Sequence, residues 1–140
     1  MPGARNGEQR VEVIRSIYEA FNVRDIDTVV ELTHPDIVIR PLRTQSAATI
    51  TGRDAFRAWL ENGVAAGRTH RYEVATVHEL ADGAVILAGK MVEHETSFEI
   101  VGVHHLKDGL SWRVAMYFSD EQTLRRLRLL AEDGWPADDV

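Results

Sequence analysis

The first third of the chain carries hydrophobic residues at the three- and four-residue spacing of an amphipathic helix. In EQRVEVIRSIYEAFNVRD, one helical face would present Val11, Ile14, Tyr18 and Phe21. This spacing predicts a first helix over residues 8–23. Asp25 is a suitable N-cap for a short second helix, and Pro35 ends that helix because proline has no backbone N–H to donate.

The next segments alternate between strand-like and helix-like patterns. DIVIRP is rich in β-branched residues, which favours a strand that closes at Pro41. LRTQSAATI is polar and irregular, so it predicts a loop. In TGRDAFRAWL, Thr51 is followed three residues later by Asp54, as in a capping box, so a third helix is expected to begin there.

The second half of the chain has the pattern of successive strands. HRYEVATVHEL, AVILAGKMVEHET and VGVHHLKDGLSWRVAMYFSD are rich in β-formers, and ADG and KDG favour hairpin turns between them. Ser119 and Gln122 predict the start of a final helix, which Gly134 and Pro136 end. The predicted fold class is therefore α+β: a curved antiparallel sheet with three N-terminal helices packed over a pocket and a closing C-terminal helix.

Length and composition narrow the class of protein. The 140 residues fit a single domain. We expect that domain to span residues 8–134, between a flexible leader over residues 1–7 and a flexible tail over residues 135–140. A hydrophobic content of 44% and a charged content of 27% are typical of globular domains. The net charge of −6 argues against binding nucleic acid. The sequence has no apolar run of membrane-spanning length and no apolar leader, so we expect a cytoplasmic protein without a membrane partner.

Three segments in order resemble a known superfamily. VIRSIYEAFNVRDIDTVVELTHPDIVIRP, TGRDAFRAWL and VGVHHLKDGLSWRVAMYFSD are similar to the nuclear transport factor 2-like superfamily, and most of all to its SnoaL-like and limonene-epoxide-hydrolase-like branch. The resemblance covers roughly residues 9–128. It implies a cone whose bent sheet and helices enclose a pocket, and often a homodimer built on the outer sheet face. It leaves the activity open, because this fold carries isomerases, hydrolases, dehydratases, cyclases and non-enzymatic binders.

Strand parity in AVILAGKMVEHET places hydrophobic residues on both faces of the predicted sheet. Val85, Leu87 and Met91 share one face, and Ile86 and Ala88 share the other. A sheet with one face in water alternates more cleanly between hydrophobic and polar residues. We therefore expect the outer face to be covered by a second copy of the chain in a homodimer.

Tyr18 and His104 are two candidate catalytic residues. His104 and His105 are neighbours on a strand and point to opposite faces, so they cannot jointly bind a metal ion. The resemblance places His104 inward, where it is either an acid–base group or a half-buried histidine satisfied by a neighbour. It places Tyr18 at the oxyanion-hole tyrosine of ketosteroid isomerases. The alternative for Tyr18 is a core aromatic residue.

Arg40 is the third candidate, in the place where those isomerases carry a general-base aspartate. Gly102 stands near the position of their second acid. A guanidinium cannot abstract a proton at neutral pH, so the isomerase mechanism is not expected to transfer. If its side chain points inward, Arg40 would bind a carboxylate or enolate oxygen. Its alternative is a salt bridge at the pocket rim, for example with Glu93.

Met116 marks a departure from the hydrolase branch. It stands where those relatives carry an aspartate, while Gly89 and Met91 stand where the arginine and second aspartate of their Asp-Arg-Asp relay would fall. The relay is absent, and methionine makes an apolar, adaptable wall. The residues expected to contact a ligand are Phe21, Trp59, Leu87, Met91, Glu93, Trp112, Val114, Met116 and Phe118. His34, His70, His78 and His94 lack metal-ligand spacing and are interpreted as surface residues.

Two functions and a weaker third remain at this point. The first is a cofactor-independent isomerase, dehydratase, cyclase or hydrolase acting on a small, mostly apolar molecule. There Tyr18 would donate a hydrogen bond, His104 would move a proton and Arg40 would stabilise negative charge. The second is a binding or dimerisation module without the acid–base relay. The third is a structural dimer with a filled pocket.

Overall fold

The computed structural model describes residues 7–40, 49–80 and 83–118. Within them the chain forms three helices, which are α1 (Gly7–Asn22), α2 (Ile26–Glu31) and α3 (Arg53–Ala65). The strands of the same residues are β1 (Thr33–Arg40), β2 (Ile50–Thr51), β3 (Arg71–Glu79), β4 (Val85–Glu93), β5 (Thr96–Lys107) and β6 (Leu110–Phe118). The α+β class predicted from the sequence is confirmed.

The six described strands form one curved, unclosed sheet in the order β2-β1-β6-β5-β4-β3. Neighbouring strands pair antiparallel, except that β1 pairs parallel to β6. The sheet is antiparallel as predicted, apart from this one pair. The pair joins segments about half the chain apart, so no local hairpin pattern could have indicated it. Parallel pairing fixes β1, and with it α2, beside the strand that follows the KDG turn.

The helix boundaries follow local chemistry, with one correction. The first helix begins at Gly7, which was assigned to the leader, and ends at Asn22. Asp25 caps α2 as predicted, because its side chain accepts a hydrogen bond from the Thr28 backbone N–H at 3.2 Å. The predicted capping box of α3 is wrong: Gly52 is the N-cap and makes no side-chain cap bond. Thr51 instead belongs to β2, where it pairs with Val38.

The predicted loop and termini fall partly outside the described residues. The loop expected over residues 42–50 ends in strand β2, because Ile50 pairs with Ile39. The final helix, the tail and most of the leader lie outside the described residues. No helix among the described residues is long and apolar enough to cross a membrane.

Two main clusters of buried residues lie on the sheet, beside a small third cluster of Met91 and Ile100. The larger joins the helices to the sheet and includes Val13, Ile14, Ile17, Tyr18, Val29, Val30, Ile37, Phe56, Leu60, Val85, Leu87 and Val114. The second consists of Val101, Val103 and Ala115, with Ile86 and Tyr117 packed against it. Val103 is 0% exposed within the single chain. A partner subunit is therefore not needed to bury this second cluster, and the homodimer stays a prediction.

Candidate functional site

A cavity of about 80 Å³ lies between α1, α3 and the sheet. Most of the described side chains that line it are apolar, and they are Ile17, Phe21, Ile37, Ile39, Ile50, Phe56, Trp59, Val114 and Met116. The remaining lining residues carry hydroxyl or imidazole groups, and they are Tyr18, Thr33, Tyr72, His104 and Ser111. Apolar walls with a few convergent polar groups are typical of small-molecule sites.

A chain of hydrogen bonds joins three of these polar side chains. The Tyr18 hydroxyl lies 2.8 Å from Nε2 of His104, and Nδ1 of His104 lies 3.2 Å from the Ser111 hydroxyl. Tyr18 is 6% exposed, and His104 and Ser111 are each 2% exposed. All three residues also line the cavity.

The helical stripe of α1 brings Tyr18 into this chain. Its ring meets that of Tyr72 edge to face, with 5.1 Å between centroids, and that of His104 at 5.5 Å. Its hydroxyl also lies 3.6 Å from the sulfur of Met116, a weak acceptor. Burial, and secondarily the neighbouring Tyr72, raises the pKa of Tyr18 well above its ordinary value. The phenol therefore stays protonated at neutral pH.

His104 is neutral for the same physical reason. Burial, with a smaller contribution from His105, lowers the pKa of His104 to about 3. A neutral imidazole carries one ring proton, so one nitrogen donates and the other accepts. Both nitrogens have hydroxyl partners, which can take either role.

Ser111 reaches the cavity through a β-bulge that the sequence analysis missed. In the β5–β6 register, His105 pairs with Arg113 and Leu106 pairs with Ser111, so Trp112 is an extra residue. A bulge of this kind shifts the facing of the side chains that follow or precede it. Ser111 and Val114 therefore line the same cavity although they are three positions apart. Strand alternation alone had placed Trp112 there.

Tyr72 is a second missed residue, and Asn22 holds it in place. The Asn22 amide donates to the Tyr72 carbonyl at 2.7 Å and accepts from the Tyr72 backbone N–H at 2.8 Å. Strand β3 lies at the edge of the described sheet. The Asn22 amide therefore supplies the hydrogen-bond partners that a neighbouring strand would supply inside a sheet. Burial raises the pKa of Tyr72 to about 12. The sequence signal that could have indicated Tyr72 was its place in the strand alternation of HRYEVATVHEL.

Gly102 leaves the space that the hydrogen-bond chain occupies. A Cβ atom at Gly102 would lie 3.0 Å from the Met116 sulfur and 3.1 Å from the Tyr18 hydroxyl oxygen. It would also lie 3.6 Å from Nε2 of His104. The absence of a side chain at Gly102 therefore accommodates the Tyr18–His104 pair.

The structure divides the predicted ligand-contacting residues into two groups. Phe21, Trp59, Val114 and Met116 line the cavity. The other five do not, and they are Leu87, Met91, Glu93, Trp112 and Phe118. Leu87 and Met91 are buried in the core beside it. The ring of Phe118 packs on Phe98, at 6.0 Å between centroids.

The facing of Trp112 is reversed by the bulge at Ser111. Its ring lies under two cations, with Nζ of Lys107 at 5.2 Å and the guanidinium carbon of Arg113 at 4.6 Å from the centroid. Of the two alternatives for Arg40, the inward position is not observed. Arg40 is exposed at the end of β1 and does not line the cavity. Of the three candidate catalytic residues, the structure brings together Tyr18 and His104 alone.

Two histidines interpreted as surface residues are buried. His34 is 8% exposed, and its Nδ1 accepts from the Asp36 backbone N–H at 3.0 Å. His70 is 9% exposed and packs on Phe21, and burial together with Arg24 lowers its pKa. His78 and His94 are exposed as predicted. No group of three or more potential metal ligands occurs among the described residues.

The sequence profile of the SnoaL-like domain matches residues 14–114. The chain belongs to the SnoaL-like domain family. The match includes Tyr18, His104 and Ser111, and so the whole hydrogen-bond chain. No functionally curated protein matches the sequence.

Solved structures share the fold of this chain. Bal32a, from a soil-derived mobile gene cassette, is 27% identical with a TM-score of 0.70, over 81% of this chain and 92% of that one. An NTF2-like protein of unknown function from Burkholderia pseudomallei is 18% identical with a TM-score of 0.69, over 84% and 95%. An LEH-like epoxide hydrolase from M. tuberculosis is 18% identical with a TM-score of 0.68, over 92% and 91%. The last two show the nuclear transport factor 2-like fold.

Proposed function

We propose that this SnoaL-like protein binds a small, mostly apolar molecule in the cavity, with one polar atom of the ligand at the Tyr18 hydroxyl. The observation that carries the proposal is the buried chain from Tyr18 through His104 to Ser111 at the wall of an apolar cavity. A polar group so deeply buried usually serves either local structure or a ligand. The cavity beside Tyr18 favours the ligand.

The cavity volume limits the size of that ligand. A water-sized sphere needs roughly 10–15 Å³, so the cavity of about 80 Å³ admits a small molecule and not a large one. Aromatic side chains of Phe21, Trp59 and Tyr72 form part of its wall. A five- or six-membered ring bearing one oxygen or nitrogen fits this space and these surfaces.

The protonation states favour binding over abstraction of a proton from carbon. A general base works best with a pKa near the working pH. The pKa of His104 is about 3, so its imidazole is a weak base, and the raised pKa of Tyr18 keeps the phenol protonated. Both groups therefore act as neutral hydrogen-bonding groups near pH 7.

A second candidate function is a cofactor-independent enzyme. The fold is shared with an LEH-like epoxide hydrolase, and a phenol that donates to a carbonyl or epoxide oxygen would stabilise developing negative charge. Such an enzyme would need its base from the substrate or from water. It would convert the bound compound, whereas a binding module returns it unchanged.

Binding of cyclopentanone tests the proposed function, because this compound is a five-membered ring with one acceptor oxygen. We expect it to stabilise the protein in thermal unfolding and to be recovered unchanged. Tyr18→Phe should weaken its affinity by about fivefold, since a lost hydrogen bond is worth about 1 kcal/mol. Tyr117→Phe is the matched control, because Tyr117 packs on the second cluster outside the cavity lining.

The outcomes separate the candidates. Equal affinity of the wild type and Tyr18→Phe would place the ligand elsewhere and contradict the proposal. Conversion of a bound ring compound, lost in Tyr18→Phe and retained in Tyr117→Phe, would favour the enzyme. For a binding module, the affinity should stay constant between about pH 5.5 and pH 8.5, because neither Tyr18 nor His104 changes protonation there.

A further inference from the structure

We propose that Ser111 and His104 make the hydrogen-bond direction at Tyr18 reversible, so that the cavity binds both hydrogen-bond acceptors and hydrogen-bond donors at one position. This inference rests on the proposed function and names its ligand class more closely. The ligands would be small ring compounds that occur as a carbonyl form and as a hydroxyl or N–H form. Ser111 is a positioning residue here, because it acts on the ligand through His104.

The reversal follows from the composition of the chain. Tyr18 and Ser111 each carry a hydroxyl, which both donates and accepts, and the neutral imidazole between them donates from one nitrogen and accepts at the other. Their separations of 2.8 Å and 3.2 Å suit hydrogen bonds in either direction. No charge is created when all members of the chain reverse together.

In the first arrangement, the imidazole proton is on Nε2. His104 then donates to the Tyr18 oxygen, and Ser111 donates to Nδ1. The Tyr18 proton is directed to the cavity, where it meets a carbonyl or ether oxygen. Without a ligand, the Met116 sulfur at 3.6 Å is a weak acceptor for this proton.

In the second arrangement, the imidazole proton is on Nδ1. Tyr18 then donates to Nε2, and Nδ1–H donates to the Ser111 oxygen. The Tyr18 oxygen presents lone pairs to the cavity, which accept from an O–H or N–H group of a ligand. The same atoms therefore bind both forms of one compound, without movement of the backbone.

Ser111 is the member that permits the second arrangement. Without its hydroxyl, an Nδ1–H group would be a buried donor with no partner, which is rarer and more costly than an unpaired acceptor. The imidazole proton of a Ser111→Ala variant should therefore stay on Nε2. Tyr18 would then remain a donor to the cavity, and the variant should select against donor ligands.

Two probes of similar size measure the selectivity. Cyclopentanone has an acceptor oxygen and no polar hydrogen, whereas pyrrole has an N–H donor and no free acceptor lone pair. We expect wild-type protein to bind both. Ser111→Ala should lose at least tenfold more affinity for pyrrole than for cyclopentanone, which corresponds to a difference of about 1.4 kcal/mol. Ser97→Ala, at an exposed position of β5, is the matched control and should bind both probes like the wild type.

A direct measurement on the wild type does not depend on the variant folding. In ¹⁵N-histidine-labelled protein, NMR distinguishes protonated from unprotonated ring nitrogens. We expect His104 to carry its proton on Nε2 with cyclopentanone and on Nδ1 with pyrrole. One tautomer with both probes would overturn the inference and leave the proposed function intact. Equal weakening of both probes in Ser111→Ala would likewise overturn it. Failure of the wild type to bind either probe would contradict the proposed function itself.

Discussion

The Tyr18 hydroxyl and Nε2 of His104 lie 2.8 Å apart, and this contact ties helix α1 to strand β5 across 86 positions of sequence. Both groups are buried, and burial moves their pKa values in opposite directions: that of Tyr18 rises and that of His104 falls to about 3. Each group is thereby held in its uncharged form. The pair is suited to bind and orient a neutral ligand.

The stability of the protein should fall in mild acid because His104 is held neutral. Its pKa is about 3 in the folded state and about 6.5 when exposed, so the unfolded chain binds more protons between these values. The contribution of His104 to the free energy of unfolding is fully present above about pH 6.5. It should decrease by at most about 1.4 kcal/mol per pH unit as the pH falls toward 3. The pKa of His70 is also lowered, which adds a contribution of the same sign.

Urea denaturation at pH 7, 6, 5 and 4 measures this dependence. His104→Gln should be less stable than the wild type at pH 7 and should show a shallower loss toward pH 4. His78→Gln is the control, because His78 is exposed and its replacement should leave the slope unchanged. Identical slopes for the wild type and His104→Gln would contradict the buried neutral histidine.

Gly102→Ala should disturb the site while leaving the fold intact. The added methyl group would lie 3.0 Å from the Met116 sulfur, which can move, and 3.1 Å from the Tyr18 hydroxyl oxygen, which is held by His104. Overpacking of this kind costs about 1–3 kcal/mol. We expect a folded variant whose affinity for cyclopentanone falls at least tenfold, measured by calorimetric titration. Unchanged affinity would show that the ligand does not use Tyr18.

Gly89→Ala should instead destabilise the whole sheet. A Cβ atom at Gly89 would lie 2.2 Å from the Glu73 carbonyl oxygen, at the bulge where β3 and β4 shift register. The obstacle is backbone, so the two strands would have to separate. The loss of unfolding free energy should be about 3 kcal/mol or more.

Gly63→Ala is the matched control for both glycine variants. Gly63 lies in α3, and the nearest atom to an added Cβ is a side-chain carbon of Arg68 at 3.8 Å. Alanine is the better helix former by up to about 1 kcal/mol, so this variant should be as stable as the wild type or more so. A Gly89→Ala protein as stable as Gly63→Ala would refute the close approach of β3 and β4.

Asn22→Ala should loosen the edge strand that carries Tyr72. The change removes two hydrogen bonds to the Tyr72 backbone, at 2.7 Å and 2.8 Å. At about 1 kcal/mol for each bond, the expected loss of stability is about 2 kcal/mol. The Tyr72 amide should also exchange with solvent faster, which hydrogen-exchange NMR measures. Asn62→Ala, at an exposed position of α3, should change neither quantity.

Local patterns in the sequence were sufficient for most elements of the fold. The stripe containing Tyr18 and Phe21 predicted α1, and Asp25 predicted the start of α2, because both signals act within a few residues. KDG predicted the β5–β6 turn, where Asp108 and Gly109 both have positive φ, as two-residue hairpins prefer. Strand parity separated His104 from His105, and the family resemblance placed His104 on the inner face, as observed.

The sequence by itself thus determined the α+β class, the main elements and an inward pair of Tyr18 and His104. The tertiary structure alone decided the parallel β1–β6 pairing and the bulge that exchanges Ser111 for Trp112 at the cavity. The tertiary structure alone also decided that Arg40 is exposed and that His34 and His70 are buried. It likewise decided that the Asn22 side chain forms hydrogen bonds with the Tyr72 backbone. These features depend on which distant segments meet and in what register. A one-residue shift in pairing reverses the facing of a side chain without changing any local pattern.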